Sequence, residues 1–207
     1  MTTEARERTP VSPHFKPETS ALVLIDHQVG TMQLIKNMPS DVSLRNAVAL
    51  AKAAQAFGMP ILMTTSQEDH VQGPTADALQ RVAPEAFASR IKRIGVVNAW
   101  DDPAFRDAVL GLGRRQLVMA AVTTDICLVF PAISAVEEGF EVQTVLDASG
   151  SPFDIGEETS RRRMERAGVW LTSTNTMITE LVGDWSTPAG EQMMPILFAS
   201  APMFPVE

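Results

Sequence analysis

A single cysteine, Cys127, stands in a chain of 207 residues. One thiol cannot form an intrachain disulfide, and metal sites built from several cysteines are excluded. Cations are scarce as well: 17 Lys plus Arg face 25 Asp plus Glu, a formal net charge of −8. Such a balance offers no electrostatic footprint for nucleic acid or for an anionic membrane. No apolar run approaches the roughly 20 residues that a membrane-spanning helix needs. The opening residues, MTTEARERTP, lack the apolar core of a signal peptide. What is present is ordinary globular usage, 45% hydrophobic and 20% charged, which argues against wholesale disorder. Together these predict a soluble, cytoplasmic protein built around one main domain.

The polar, proline-bearing stretch 1–19 reads as an N-terminal tail, 20–185 as the domain, and 186–207 as an apolar C-terminal strap. Within the domain, continuous apolar runs at 21–25, 61–63 and 116–122, with weaker ones at 91–93, 141–146 and 169–172, suit strands buried on both faces. Helical patterns separate them. One runs from Asp41 or Ser43 to Gly58, one from Pro103 to 112 with Asp102 as cap, and one from Asp125 to Gly139. The last buries a stripe of Ile126, Val129, Phe130, Ile133 and Val136, and a further helix covers 157–167. Strand–helix alternation of this kind predicts an α/β fold, a three-layer α/β/α sandwich around a mainly parallel, Rossmann-like sheet. The strap, with three prolines in MMPILFASAPMFPV, is too broken for a helix and is expected to pack on a neighbouring subunit.

Sites in parallel sheets lie at the carboxyl ends of the strands. Cys127 falls five residues after Val122. Either it is a small buried hydrophobe, or it is a nucleophile whose pKa is lowered by a helix N-terminus. Asp26 ends the first strand, where a carboxylate either caps a turn or, desolvated, serves as a base. Lys92 and Arg93 are adjacent on a strand, so at most one faces a site.

These residues carry a resemblance. LIDHQVG, TTSQE, GVVNAWDD, VTTDICLVFPAISAVEEGF and LDASGS, in that order along the chain, resemble the isochorismatase-like cysteine hydrolases, and among them the YcaC-like branch. The resemblance implies a catalytic triad of Asp26, Arg93 and Cys127, with Arg93 favoured over Lys92 by its spacing to Asn98 and Trp100. It implies a cis peptide between Val122 and Thr123, and an oxyanion hole from the N–H groups of Thr123 and Cys127. It also implies a multi-subunit ring.

Arginine keeps its charge, so all proton transfer would fall on Asp26. No cofactor is expected, and no metal, since 66–70 reads SQEDH with a single histidine. Asn98 and Trp100 are candidate pocket residues, although Trp100 also suits a core. Asp147 follows a strand and either reaches the pocket or serves a turn.

The expected activity is cleavage of a small-molecule amide through a thioester. The alternatives are a non-catalytic ring-forming protein that binds a ligand or senses redox state, and vinyl-ether hydrolysis of the isochorismate type.

Overall fold

The computed structural model describes residues 14–200. Six strands, β1 Ser20–Ile25, β2 Ile61–Ser66, β3 Ile91–Arg93, β4 Gln116–Ala121, β5 Glu141–Val145 and β6 Trp170–Thr172, form one sheet among these residues. Every pairing is parallel, in the order β3-β2-β1-β4-β5-β6. The central register sets Ile25 beside Thr64 on one side and Ala121 on the other. The order reverses between β1 and β4, so their carboxyl ends diverge into different crossovers and leave a crevice there.

All six residues of β1 are buried. Leu22 and Leu24 pack on one face with α1 (Ser40–Ala56), α7 (Thr174–Val182) and α8 (Pro188–Ser200). Ala21, Val23 and Ile25 pack on the other with α4 (Pro103–Gly111) and α5 (Val129–Glu137). The side-chain alternation of a strand thus produces two cores, one on each side of the sheet. Two short helices, α2 (Asp77–Val82) and α3 (Pro84–Ala88), fill the 67–88 connection, and α6 (Asp154–Arg166) follows β5. The Asp102 carboxylate accepts from the N–H groups of Ala104 and Phe105, and Pro103 opens α4, the cap its sequence predicts.

One expectation is corrected, and two further features come from the structure alone. Residues 188–200 are helical despite Pro195. That proline faces solvent, where its missing N–H and the displaced carbonyl do not disturb packing. Met193 and Leu197, one turn apart, are buried against the chain's own domain, while Met194 and Phe198 of the same helix are exposed; 201–207 lie outside the described residues.

α7 was not anticipated. Its Thr-rich sequence has weak helix propensity, yet Thr174, Met177, Ile178 and Leu181 keep helical spacing and are buried. Finally, the tail is tied down where it is described. Phe15 is buried in the core, and its N–H donates to Glu180 Oε1 at 2.7 Å.

Candidate active site

Three strand ends converge in the crevice. Asp26 follows β1 directly, with φ of 58°, a left-handed conformation that aspartate tolerates better than most residues. Its N–H continues the sheet to Thr64 O at 3.0 Å, while its own carbonyl accepts from Gln28 N–H at 2.7 Å. Arg93 ends β3 with its side chain only 1% exposed. Each of its nitrogens is engaged: Nε donates to Thr64 Oγ1 at 3.0 Å, Nη1 to Val96 O at 2.8 Å, and Nη2 to Asp26 Oδ2. Lys92 points the other way and pairs with Glu68 Oε1 at 2.5 Å. Of the two adjacent cations, only Arg93 reaches the crevice.

Cys127 follows β4. The peptide bond between Val122 and Thr123 is cis, and Thr124–Leu128 winds as a single π-type turn before α5 begins. The anticipated helix start at Asp125 is therefore a wider turn, a distortion often found at functional sites. One effect falls on Ile126, which is 46% exposed at the mouth of the crevice instead of belonging to the buried stripe. The turn is locked to the β5 end, where Thr124 N–H donates to Gly150 O at 2.8 Å and Thr124 Oγ1 accepts from Gly150 N–H at 2.9 Å. Ser149 adds a buried clasp, accepting from Ala121 N–H at 3.1 Å and donating to Val145 O at 2.9 Å.

Asp26, Arg93, Thr123 and Cys127 line one cavity of about 240 Å³. The Cys127 thiol lies alongside the Asp26 carboxylate, and each shifts the other's pKa. Burial raises Asp26 above the ordinary carboxyl value, and the Arg93 charge and hydrogen bond only partly offset this. Burial, then the Asp26 charge, raise Cys127 well above a free thiol. The lowered pKa expected from a helix N-terminus is thus overturned. The turn's amides are already engaged, since Thr123 O accepts from Cys127 N–H at 2.8 Å and Leu128 N–H at 3.1 Å. Burial thus disfavours the charged form of both groups, and among the described residues Asp26 Oδ1 is buried without a hydrogen-bond partner.

Of the two amides named for the oxyanion, that of Cys127 is held by Thr123 O, while that of Thr123 donates to no acceptor among the described residues. Asn98 and Trp100 do not reach the cavity. Asn98 caps the short turn Ala99–Asp101 and donates to Ser134 Oγ at 3.1 Å. Trp100 is buried edge-on against Phe105 and Phe140, its indole N–H on Glu138 Oε2 at 2.6 Å. Its bulk is satisfied by the core between α4 and α5. Asp147 serves a turn: its Oδ1 accepts from both N–H and Oγ1 of Thr174 at 2.8 Å. Among the described residues, no group of three or more His, Cys, Asp or Glu side chains is placed to hold a metal ion.

Three contributors were missed. Gln28 ties the β2 loop to β1, donating to Ser66 O at 3.0 Å and Gly73 O at 2.5 Å and accepting from Ser66 N–H at 2.8 Å. Thr31 and Gln72 line the cavity, each with one buried polar atom that has no hydrogen-bond partner among the described residues. Gln28 was within reach of sequence reading, two residues beyond Asp26 on the same strand end; Thr31 opens a single 3-10 turn, Thr31–Leu34, and Gln72 lies in a loop, neither with a periodicity to read. Neighbouring His27 is buried and held neutral, its pKa lowered to about 4 by desolvation. Its Nε2 bonds to Ala148 O at 2.8 Å, so the proton sits on that nitrogen.

A parallel sheet with a carboxylate, a buried cation and a cysteine at its switch point defines an α/β protein with a thiol-bearing crevice. Residues 20–176 match the profile of the isochorismatase domain, and the chain belongs to the isochorismatase family. It is 38% identical over 166 residues to the probable hydrolase YcaC of Escherichia coli K12, covering 80% of this chain and 79% of that one. The crystal structure of the E. coli YcaC gene product, described as an octameric hydrolase of unknown specificity, superposes with a TM-score of 0.88. It shares 34% identity over 94% of each chain. YcaC from Pseudomonas aeruginosa, solved with hexane-2,5-diol and covalent acrylamide, gives the same TM-score of 0.88 at 36% identity, over 94% of this chain and 95% of that one. The chain is an isochorismatase-family hydrolase of the YcaC branch.

Proposed function

We propose that the protein hydrolyses a small-molecule amide through a thioester on Cys127. The observation that carries this reading is the meeting of Asp26, Arg93 and Cys127 from three strand ends in one small cavity. Asp26 Oδ1 takes the thiol proton as Sγ attacks the carbonyl carbon. The oxyanion that forms is held by Thr123 N–H, with Cys127 N–H shared away from Thr123 O. As the C–N bond breaks, Asp26 returns its proton to the leaving nitrogen, leaving an acyl-thioester. Water then attacks, giving its proton to Asp26; the carboxylic acid leaves and the proton returns to sulfur. Arg93, always charged, keeps Asp26 in register and lets it ionise although buried.

The P. aeruginosa relative was solved with a covalent acrylamide, which makes small uncharged amides the first compounds to try. A redox-sensing role draws no support from a thiol held protonated, because the thiolate is the species that oxidises. We also propose a homo-oligomer, since an octamer is described for the E. coli relative; light scattering on the eluted protein tests it.

The hydrolase reading is tested by incubating the protein with a panel of small amides and following acid release, with intact mass to catch the acyl-enzyme. Acid formation and a Cys127 adduct are expected, both absent in Cys127→Ala. Turnover that survives Cys127→Ala would point to vinyl-ether-type chemistry and remove the thioester.

A further inference from the structure

We propose that Thr64, a buried hydroxyl on β2, is a positioning residue that aims the Arg93 guanidinium at Asp26. This rests on the reading of Asp26, Arg93 and Cys127 as the reacting groups. Three observations carry it.

The first is topological. β2 lies between β1 and β3, so the side chain of Arg93 must cross β2 to meet the carboxylate that follows β1. Thr64 is where it crosses. Its backbone carbonyl accepts from Asp26 N–H at 3.0 Å, and its Oγ1 accepts from Arg93 Nε at 3.0 Å. One residue thus holds both the carboxylate's backbone and the cation that pairs with it.

The second is the polarity of that hydroxyl. Thr64 is paired with Ile25 on one side and Ile91 on the other, both packed toward the α4 and α5 core, and it is 2% exposed. Valine would fill the same volume. What the hydroxyl adds is a directed chain of bonds. Arg93 Nε can only donate, and Ile91 O can only accept, so the Oγ1 proton goes to Ile91 O at 2.8 Å and a lone pair is left for Arg93. Ile91 begins β3, an edge strand of three residues. The same hydroxyl therefore ties down the strand that carries the arginine.

The third is the geometry of the guanidinium. It is planar, so two fixed nitrogens set the direction of the remaining one. Nη1 donates to Val96 O at 2.8 Å, on a loop whose Ile94 and Val97 are exposed. Nε is bonded to a buried strand, which makes Thr64 the firmer of the two anchors that leave Nη2 facing Asp26. Thr64 is not among the residues that line the cavity, so its effect on the thiol passes through Arg93.

The adjacent Thr65 supplies a matched control. It is as deeply buried, points to the other face of the sheet and donates to Glu68 Oε2 at 2.9 Å. The full chain is labelled with iodoacetamide across a range of pH, and intact mass follows the single cysteine. Burial and the Asp26 charge raise the thiol pKa, and the Arg93 charge works against them. A guanidinium released by Thr64→Val is therefore expected to raise the pH midpoint of labelling by about half a pH unit or more. Thr64→Ser, which keeps the hydroxyl, and Thr65→Val are expected to stay within about 0.2 pH unit of the wild type. No upward shift in Thr64→Val, or an equal shift in Thr64→Ser or Thr65→Val, overturns the proposal. Thr64→Ala is read in the same way if the valine variant does not fold. Failure of both to fold marks Thr64 as structural and overturns the proposal too.

The labelling needs no substrate. A raised midpoint in a protein that hydrolyses no amide would leave the role of Thr64 standing and remove the hydrolase reading. An unchanged midpoint, alongside amide hydrolysis that is lost in Cys127→Ala, would do the reverse.

Discussion

Lys92 and Arg93 are neighbours in the chain, and each pairs with a carboxylate, yet the two pairs do opposite things. Glu68, on the outer side of β3, receives four donors: Thr65 Oγ1 at 2.9 Å, Arg90 Nε and Nη2 at 3.0 Å, and Lys92 Nζ at 2.5 Å. Burial alone would raise its pKa, but the bonds from Arg90, Lys92 and Thr65 hold it down at about 2. Asp26, on the inner side, receives Arg93 on one oxygen and, apart from the Cys127 thiol beside it, no other donor among the described residues, and its pKa is raised by burial. A carboxylate with every lone pair occupied is a clamp. A carboxylate with few donors, in a dry place beside a thiol, is the arrangement that the proposed base requires. The number of donors within reach and the depth of burial, not the identity of the ion pair, separate structure from chemistry.

That contrast breaks first at Asp26. Asp26→Asn keeps the shape but not the base, and hydrolysis of a confirmed amide substrate is expected to fall about 10²- to 10⁴-fold. The same substitution should lower the pH midpoint of Cys127 alkylation, because the Asp26 charge is one cause of the raised thiol pKa; a midpoint that stays or rises would contradict the pairing. In the wild type, the rate should increase as pH climbs through the raised pKa of Asp26.

Arg93→Met leaves Asp26 buried without its cation and should destabilise the fold by about 3–5 kcal/mol in urea titrations. Combining it with Asp26→Asn should recover part of that loss. Strict additivity of the two would mean that they do not act as a pair.

Glu68→Gln sharpens the other side. It should cost about 1–3 kcal/mol at neutral pH while leaving the pH dependence of thiol labelling in place. The linkage has a definite sign: a carboxylate depressed in the folded state adds stability above its unfolded pKa of roughly 4.3 and loses it as pH falls toward about 2. Wild type and variant should therefore converge across that window. Smallest of all, Lys92→Met, with a side chain 59% exposed, should shift stability by no more than about 0.5 kcal/mol and leave turnover unchanged.

Legibility followed periodicity. β1 and β4 are uninterrupted apolar runs, so their existence, their burial and the search for chemistry at their ends came directly from the residue string. Asp26 and Cys127 were found because each lies just past such a run. Trp100 misled because an aromatic beside a basic segment suits a pocket and a core equally well, and the facing Phe105 and Phe140 that claim it are invisible in one dimension. α8 misled in the opposite way: Pro195 argued against a helix, while its harmless outward orientation depended on where α1 lay. Thr31 sits in a single 3-10 turn and Gln72 on a loop, elements too short or irregular for a repeat to fix side-chain directions.

By itself, the sequence determined a sheet buried on both faces, since runs such as ALVLI alternating with helical patterns suit parallel strands covered by helices. It also determined that any thiol chemistry must use Cys127, there being no other. Only the tertiary structure decided which of two adjacent cations enters the site, that the thiol rests protonated, and which polar atoms are left bare around it. Those outcomes depend on distances and desolvation between segments far apart in the chain, and pKa values and unmet hydrogen bonds are properties of such surroundings, not of residues.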